Sequence, residues 1–79
     1  MVEAASIHER MEVIGKDGGL VGRVEHVLGM EIELSRLDLA PGIKDHKIPM
    51  SWVDKVQDGK VRLTMTKEEA KARSGGTKH

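Results

Sequence analysis

Cysteine, phenylalanine and tyrosine are absent from this chain, and Trp52 is its one aromatic residue. Without cysteine, disulfides and the thiolate-zinc clips that hold many mini-domains together are excluded. With one aromatic, the interior must be packed from aliphatic side chains. Nor is there a basic stripe interleaved with aromatic rings on which nucleic-acid bases could stack. An excess of either charge is missing too. Thirteen basic side chains balance thirteen acidic ones, so there is no electrostatic footprint for nucleic acid or an anionic membrane surface. No apolar run approaches the roughly 20 residues that span a bilayer. The start, Met1-Val-Glu-Ala-Ala-Ser6, has neither the basic opening nor the apolar stretch of a secretory signal. A soluble, cytoplasmic protein is the expectation.

What is present suffices for one small domain. Leucine, isoleucine and valine number nineteen of 79 residues, above the level expected of disordered chains, and five methionines can help fill a core. At this length, ordering the chain costs roughly 1.5 kcal/mol per residue and nearly offsets apolar burial. Either the fold is compact or a second copy contributes surface, and a homodimer is the expected assembly.

The pattern along the chain is one of short strands and tight turns. Residues 1–6 read as a disordered leader, 7–73 as the domain and 74–79 as a disordered tail. Ser6-Ile-His-Glu9 has the Ser-x-x-Glu capping pattern of a single helical turn. Met11–Ile14 is a strand ending at Gly15-Lys-Asp-Gly-Gly19, and Leu20–Leu28 is a second. In that second strand Gly22 suggests a bulge or a close backbone approach. Val24 and Val27 cannot share a face of a regular strand, so a bulge is expected near Glu25-His26. Met30–Leu34 alternates, with Met30, Ile32 and Leu34 inward and the two glutamates outward. Leu37–Lys47 is the longest connection. His46–Ile48 resumes strand, Pro49 ends it, and Ser51–Val53 reads as a corner or 3-10 turn. Asp58-Gly59 joins a closing hairpin, and Thr66-Lys-Glu-Glu69 opens a short helix to about Arg73.

Ile7-x-x-x-Met11-x-Val13, Asp17-Gly18-x-x-Val21-Gly22-x-Val24, Ile32-x-Leu34 and His46-x-Ile48-Pro49-x-x-Trp52-Val53 occur in that order. Together, over residues 7–67, they resemble a bacterial family of unknown function among the PRC-barrel-like proteins. That group is named for the cytoplasmic domain of the photosynthetic reaction-centre H subunit and includes the C-terminal domain of a ribosome maturation factor. The resemblance implies an all-β fold: a small PRC-barrel-like β-barrel of five to six short antiparallel strands with a short C-terminal helix. It also implies a domain that docks onto other proteins and brings no catalytic residues. Where relatives carry a histidine pair and an aromatic before Ile-Pro, this chain has Asp45-His46-Lys47.

His8, His26 and His46 lie too far apart in sequence to be ligands from one element, so a metal site requires the fold to bring them together. No Gly-x-Ser-x-Gly elbow exposes a serine for Ser-His-Asp chemistry. Gly15–Gly19 has its lysine ahead of the glycines and a strand after them, unlike a phosphate loop. Trp52 is either a plug in one barrel end or an exposed anchor for a partner. Leu37, Leu39 and Ile43 are apolar in a segment that ought to be solvated. They form either a lid over the barrel mouth or an apolar patch of the kind that marks an interface.

The functional expectation is therefore a non-enzymatic protein-interaction or adaptor module, without catalytic residues, metal or cofactor. Its interface is expected at Leu37, Leu39, Ile43 and Trp52, with Arg36, Asp38 and Lys44 as a polar rim. The alternatives are an RNA- or ribosome-associated assembly factor and, more weakly, a histidine-based metal- or ligand-binding protein.

Overall fold

A computed structural model describes residues 7–44 and 46–73. Its elements are β1 (Glu12–Ile14), β2 (Leu20–Leu28), β3 (Glu31–Leu34), β4 (Lys47–Pro49), β5 (Val53–Gln57), β6 (Lys60–Leu63) and α1 (Lys67–Arg73), with 3-10 turns at Arg36–Asp38 and Met50–Trp52. The leader, the tail, Ser6 of the first capping pattern and Asp45 lie outside the described residues.

The six strands form one sheet in the order β4-β3-β2-β1-β6-β5. The expectation of a mostly β fold with a short C-terminal helix agrees with this. Two finer expectations do not. The ladder is open, with β4 and β5 as its ends, so the sheet is not a closed barrel. Nor are all strands antiparallel, because β1 pairs β6 in parallel, Val13 beside Val61. Local hairpins cannot produce a parallel pair, which needs a long crossover; here the crossover is everything from β2 to β5.

β2 is long enough to serve both halves of the sheet. Its first half pairs with β1 and its second with β3. Two register shifts bend it. One lies opposite Val13/Ile14, where Val21 is passed over, and one lies between Val24 and His26, where Glu25 is passed over. The second is the bulge that the spacing of Val24 and Val27 requires. Each bulge sharpens the local twist and re-aims the side chains that follow. Val21, Gly22 and Val24 are consequently all buried. At Gly22 a Cβ would lie 3.3 Å from a Leu34 methyl, the close approach that a glycine inside a strand signals.

Bending wraps the sheet around an aliphatic core in which Val13, Val21, Ile32, Leu34, Ile48 and Leu63 are fully buried. Met30 is the exception to the expected alternation. It lies in the β2–β3 turn and is 78% exposed, because Gly29, at φ 64°, turns the chain before β3 begins. The Asp58-Gly59 hairpin forms as its sequence implies, both residues at positive φ.

α1 covers one end of the curled sheet through the buried Ala70. Its capping box is intact. The Glu69 amide donates to Thr66 Oγ1 at 3.1 Å, and the Thr66 amide donates to Glu69 Oε1 at 2.9 Å. A third contact comes from far away in sequence. Asp17 Oδ1 accepts from the amides of Gly19 at 3.2 Å and Lys67 at 3.3 Å, tying the β1–β2 turn to the helix start.

These amide donors hold both carboxyls below their ordinary values of 3.8 for Asp17, chiefly through Gly19, and 4.5 for Glu69, chiefly through Thr66. A carboxyl that ionises more readily folded than unfolded stabilises the fold above its unfolded pKa, and that contribution disappears as pH falls through the folded one. The expected result is a melting temperature that declines below about pH 4.5. The combined Asp17→Asn and Glu69→Gln variant should show a shallower acid decline in the same circular-dichroism melts.

Candidate functional site

The segment from Ser35 to Ala40 is fastened to β2 at both ends. The Ser35 amide donates to the Arg23 carbonyl at 2.8 Å, and the Ala40 amide donates to the Val21 carbonyl at 2.9 Å. Six residues therefore span two anchor points only two residues apart, and the chain between must bow outward. The bow is tightened by a 3-10 turn in which the Asp38 amide donates to the Ser35 carbonyl at 3.1 Å. Leu37 stands at the apex and is 96% exposed.

The structure thus divides the apolar loop residues named from the sequence. Leu39 packs against the core, and Ile43 is buried beside Ala40, so these two form the lid. Leu37 points the other way. Lys44 is exposed just past the lid. Trp52 is half-buried against the core on the Met50–Trp52 turn. That turn lies at the opposite end of β3, where the Met50 amide donates to the Met30 carbonyl at 2.7 Å. Leu37 and Trp52 are therefore not brought together.

Charged side chains brace the bow from both flanks. Arg23 reaches Glu12 at 3.5 Å, Asp38 at 3.9 Å and the Arg10 carbonyl at 3.1 Å. On the other flank Arg36 lies 3.5 Å from His46 Nε2, which is 3.6 Å from Glu33. Leu37 forms a ridge between two shallow hollows. One, of about 250 Å³, is walled by Arg23, Glu25, Ser35 and Asp38. The other, of about 300 Å³, is walled by Glu25, Glu33, Ser35 and Arg36 over Leu34. Among the described residues, no buried side-chain nitrogen or oxygen lacks a partner, so neither hollow has an orphaned polar group for a ligand to satisfy.

His26 and His46 face separate sets of carboxylates. His26 Nδ1 lies 3.3 Å from Glu9, with Glu25 at 4.0 Å from its other nitrogen, and His46 faces Glu33. Among the described residues, no group of three or more histidine, aspartate or glutamate side chains could hold a metal ion. None of the described helices is long and apolar enough to cross a membrane.

A family model matches residues 7–71, from the first core residue into α1. The chain is a DUF2171 protein. That family is described as an uncharacterized protein conserved in bacteria, which agrees with the bacterial, unknown-function part of the sequence resemblance. The PRC-barrel part rests on the four sequence segments alone. No curated protein and no solved structure matches the chain. The matched span of this DUF2171 protein contains the whole bow and both hollows.

Arg23 was not among the residues singled out from the sequence, although it organises one flank. Its role depends on standing opposite Glu12, a register set by the bulge at Val21. Met30, which strand alternation places in the core, is a surface residue. Its signal was present in Gly29, whose turn removes the next residue from the strand.

Proposed function

We propose that this DUF2171 domain is a non-enzymatic docking module that grips a protein partner at the Ser35–Ala40 bow. The observation that supports this reading is Leu37: a large apolar side chain, 96% exposed, on backbone fastened at both ends. Burying such a side chain is worth about 1.5–3 kcal/mol. Because the bow is already held in shape, little of that gain is spent on ordering it. Leu39 and Ile43 serve from beneath by fixing the bow, Arg36 and Asp38 flank the apex as a polar rim, and Lys44 extends that rim. Trp52, at the far end of β3, is a separate contact point of the same module.

The sheet edges favour side-chain docking over strand addition. β4 is three residues long and carries Lys47 and Pro49, while β5 carries Asp54 and Lys55, the residue types that discourage edge pairing. Arg23 is engaged by Glu12 and Asp38, and Arg36 faces an imidazole, an environment better suited to a protein surface than to a phosphate backbone. The sequence resemblance to PRC-barrel-like proteins, which implies docking, points the same way.

The test is a photo-cross-linking residue installed at position 37 in bacterial cells, with the same residue at Asp58 as an exposed control. Discrete adducts at position 37, absent from the control, are expected. Equal labelling at the two positions, or none at 37, would overturn the reading.

A further inference from the structure

The order of residues at the apex is Arg36-Leu37-Asp38: a cation, an apolar knob and an anion, all three exposed. The two charges stand on different flanks. Asp38 walls the hollow shared with Arg23, and Arg36 walls the hollow shared with Glu33. A half-turn about an axis beside Leu37 exchanges the flanks. It therefore places Arg36 of one molecule opposite Asp38 of another, and Asp38 opposite Arg36, in one operation. The same rotation sets the two Leu37 side chains against one another at the centre of the contact.

We infer that the protein gripped at the bow is a second copy of this chain, joined in a two-fold dimer centred on Leu37. This deepens the docking reading and rests on it. Self-complementarity is the defining requirement of a two-fold interface, in which the same patch serves both partners. A patch with one sign of charge would repel its own copy. Here three arginines (10, 23 and 36) line the two hollows together with Glu9, Glu25, Glu33 and Asp38. Of these carboxylates, Glu9 and Glu25 lie beside His26 and Glu33 lies beside His46. The chain as a whole has no formal net charge, so long-range repulsion between copies is absent as well.

Charge exchange at positions 36 and 38 gives a test specific to this geometry. Sedimentation velocity of the intact chain should show a dimer at micromolar concentration. Leu37→Asp occurs twice per dimer, so its dissociation constant should rise by about a hundredfold or more. Arg36→Asp alone places two carboxylates opposite one another, and Asp38→Arg alone places two guanidinium groups opposite, so each should weaken self-association by about tenfold or more. Mixed in equal amounts, these two variants should form a mixed dimer, visible by native mass spectrometry. The double variant Arg36→Asp/Asp38→Arg should dimerise like the parent chain.

Circular-dichroism melts establish that each variant folds. If Leu37→Asp does not, the mixing experiment decides, because it leaves Leu37 in place. A monomer at every concentration, a dimer indifferent to Leu37→Asp, or no recovery on mixing overturns the inference. Adducts from position 37 of a mass other than two chains would overturn the second copy while leaving the docking module standing. Loss of all adducts removes both.

Discussion

Ile32→Ala lowers the free energy of unfolding by about 3 kcal/mol and the melting temperature by roughly 12–24 °C, without changing the denaturant slope. Ile32 has no exposed surface and stands mid-sheet, with Val27 beside it on β2 and Ile48 beside it on β4. Deleting its outer carbons removes buried area and leaves a void that β-sheet neighbours on both sides are poorly placed to fill. A domain of this length has roughly 4–12 kcal/mol of total stability, so one such change removes a large share of it. Met30→Ala, two residues earlier on the same expected face, is the matched control and should stay within about 0.5 kcal/mol because Met30 lies at the surface. Urea unfolding of both variants checks the pair. Equal losses would mean that Met30 is packed inside after all.

Gly15→Ala should be the most damaging of the glycine replacements, at about 2–3 kcal/mol. An added Cβ would fall 2.5 Å from the Lys67 amide nitrogen, 2.7 Å from Asp17 Oδ1 and 2.9 Å from the Thr66 carbonyl carbon. Two of these are backbone atoms at the helix start, so no side-chain rotation relieves the clash. The junction it enters is tightly tied: the Lys16 amide donates to the Met65 carbonyl at 2.8 Å, and the Gly15 amide donates to the Gly19 carbonyl at 2.8 Å. α1 must therefore shift outward, taking Ala70 from the core.

Gly18 offers the contrast. A Cβ there meets nothing within 4 Å, and only its φ of 86° resists substitution, at a cost of about 1–2 kcal/mol. Hydrogen exchange distinguishes the two mechanisms. Gly15→Ala should strip protection from the Lys67–Ala70 amides, whereas Gly18→Ala should leave their protection relative to the rest of the fold unchanged. Identical exchange patterns would show that the helix does not rest on Gly15.

Much of the fold was legible because its signals are local. Leu20–Leu28 was readable as one strand, and the clash of period between Val24 and Val27 located the bulge at Glu25. Asp58-Gly59 and the Thr66–Glu69 capping box announce their own geometry within four residues. The sheet order was not legible. β1 takes β6 as a parallel neighbour through Val13 and Val61, and no turn residue or periodicity records a pairing made across the rest of the domain. The closed antiparallel barrel was the natural extension of consecutive hairpins; it fails at that parallel pair and at β4 and β5, which end the sheet without pairing each other.

The site was half-readable for a related reason. Composition marked Leu37, Leu39 and Ile43 as anomalous in a loop but could not say which would turn inward. That choice is made by two hydrogen bonds to the carbonyls of Arg23 and Val21, which force residues between them to bow. Joining Trp52 to the same patch failed because β3 separates the two turns.

The parallel pairing of β1 with β6 has a consequence for how the molecule is made. While a ribosome has yet to deliver Lys60–Leu63, β1 has β2 on one side and bare amides and carbonyls on the other. The nascent domain must wait for the residues through Leu63 to emerge before this central gap closes. Its exposure to proteases and chaperones during synthesis is then governed by the pace of elongation more than by the strength of any early hairpin.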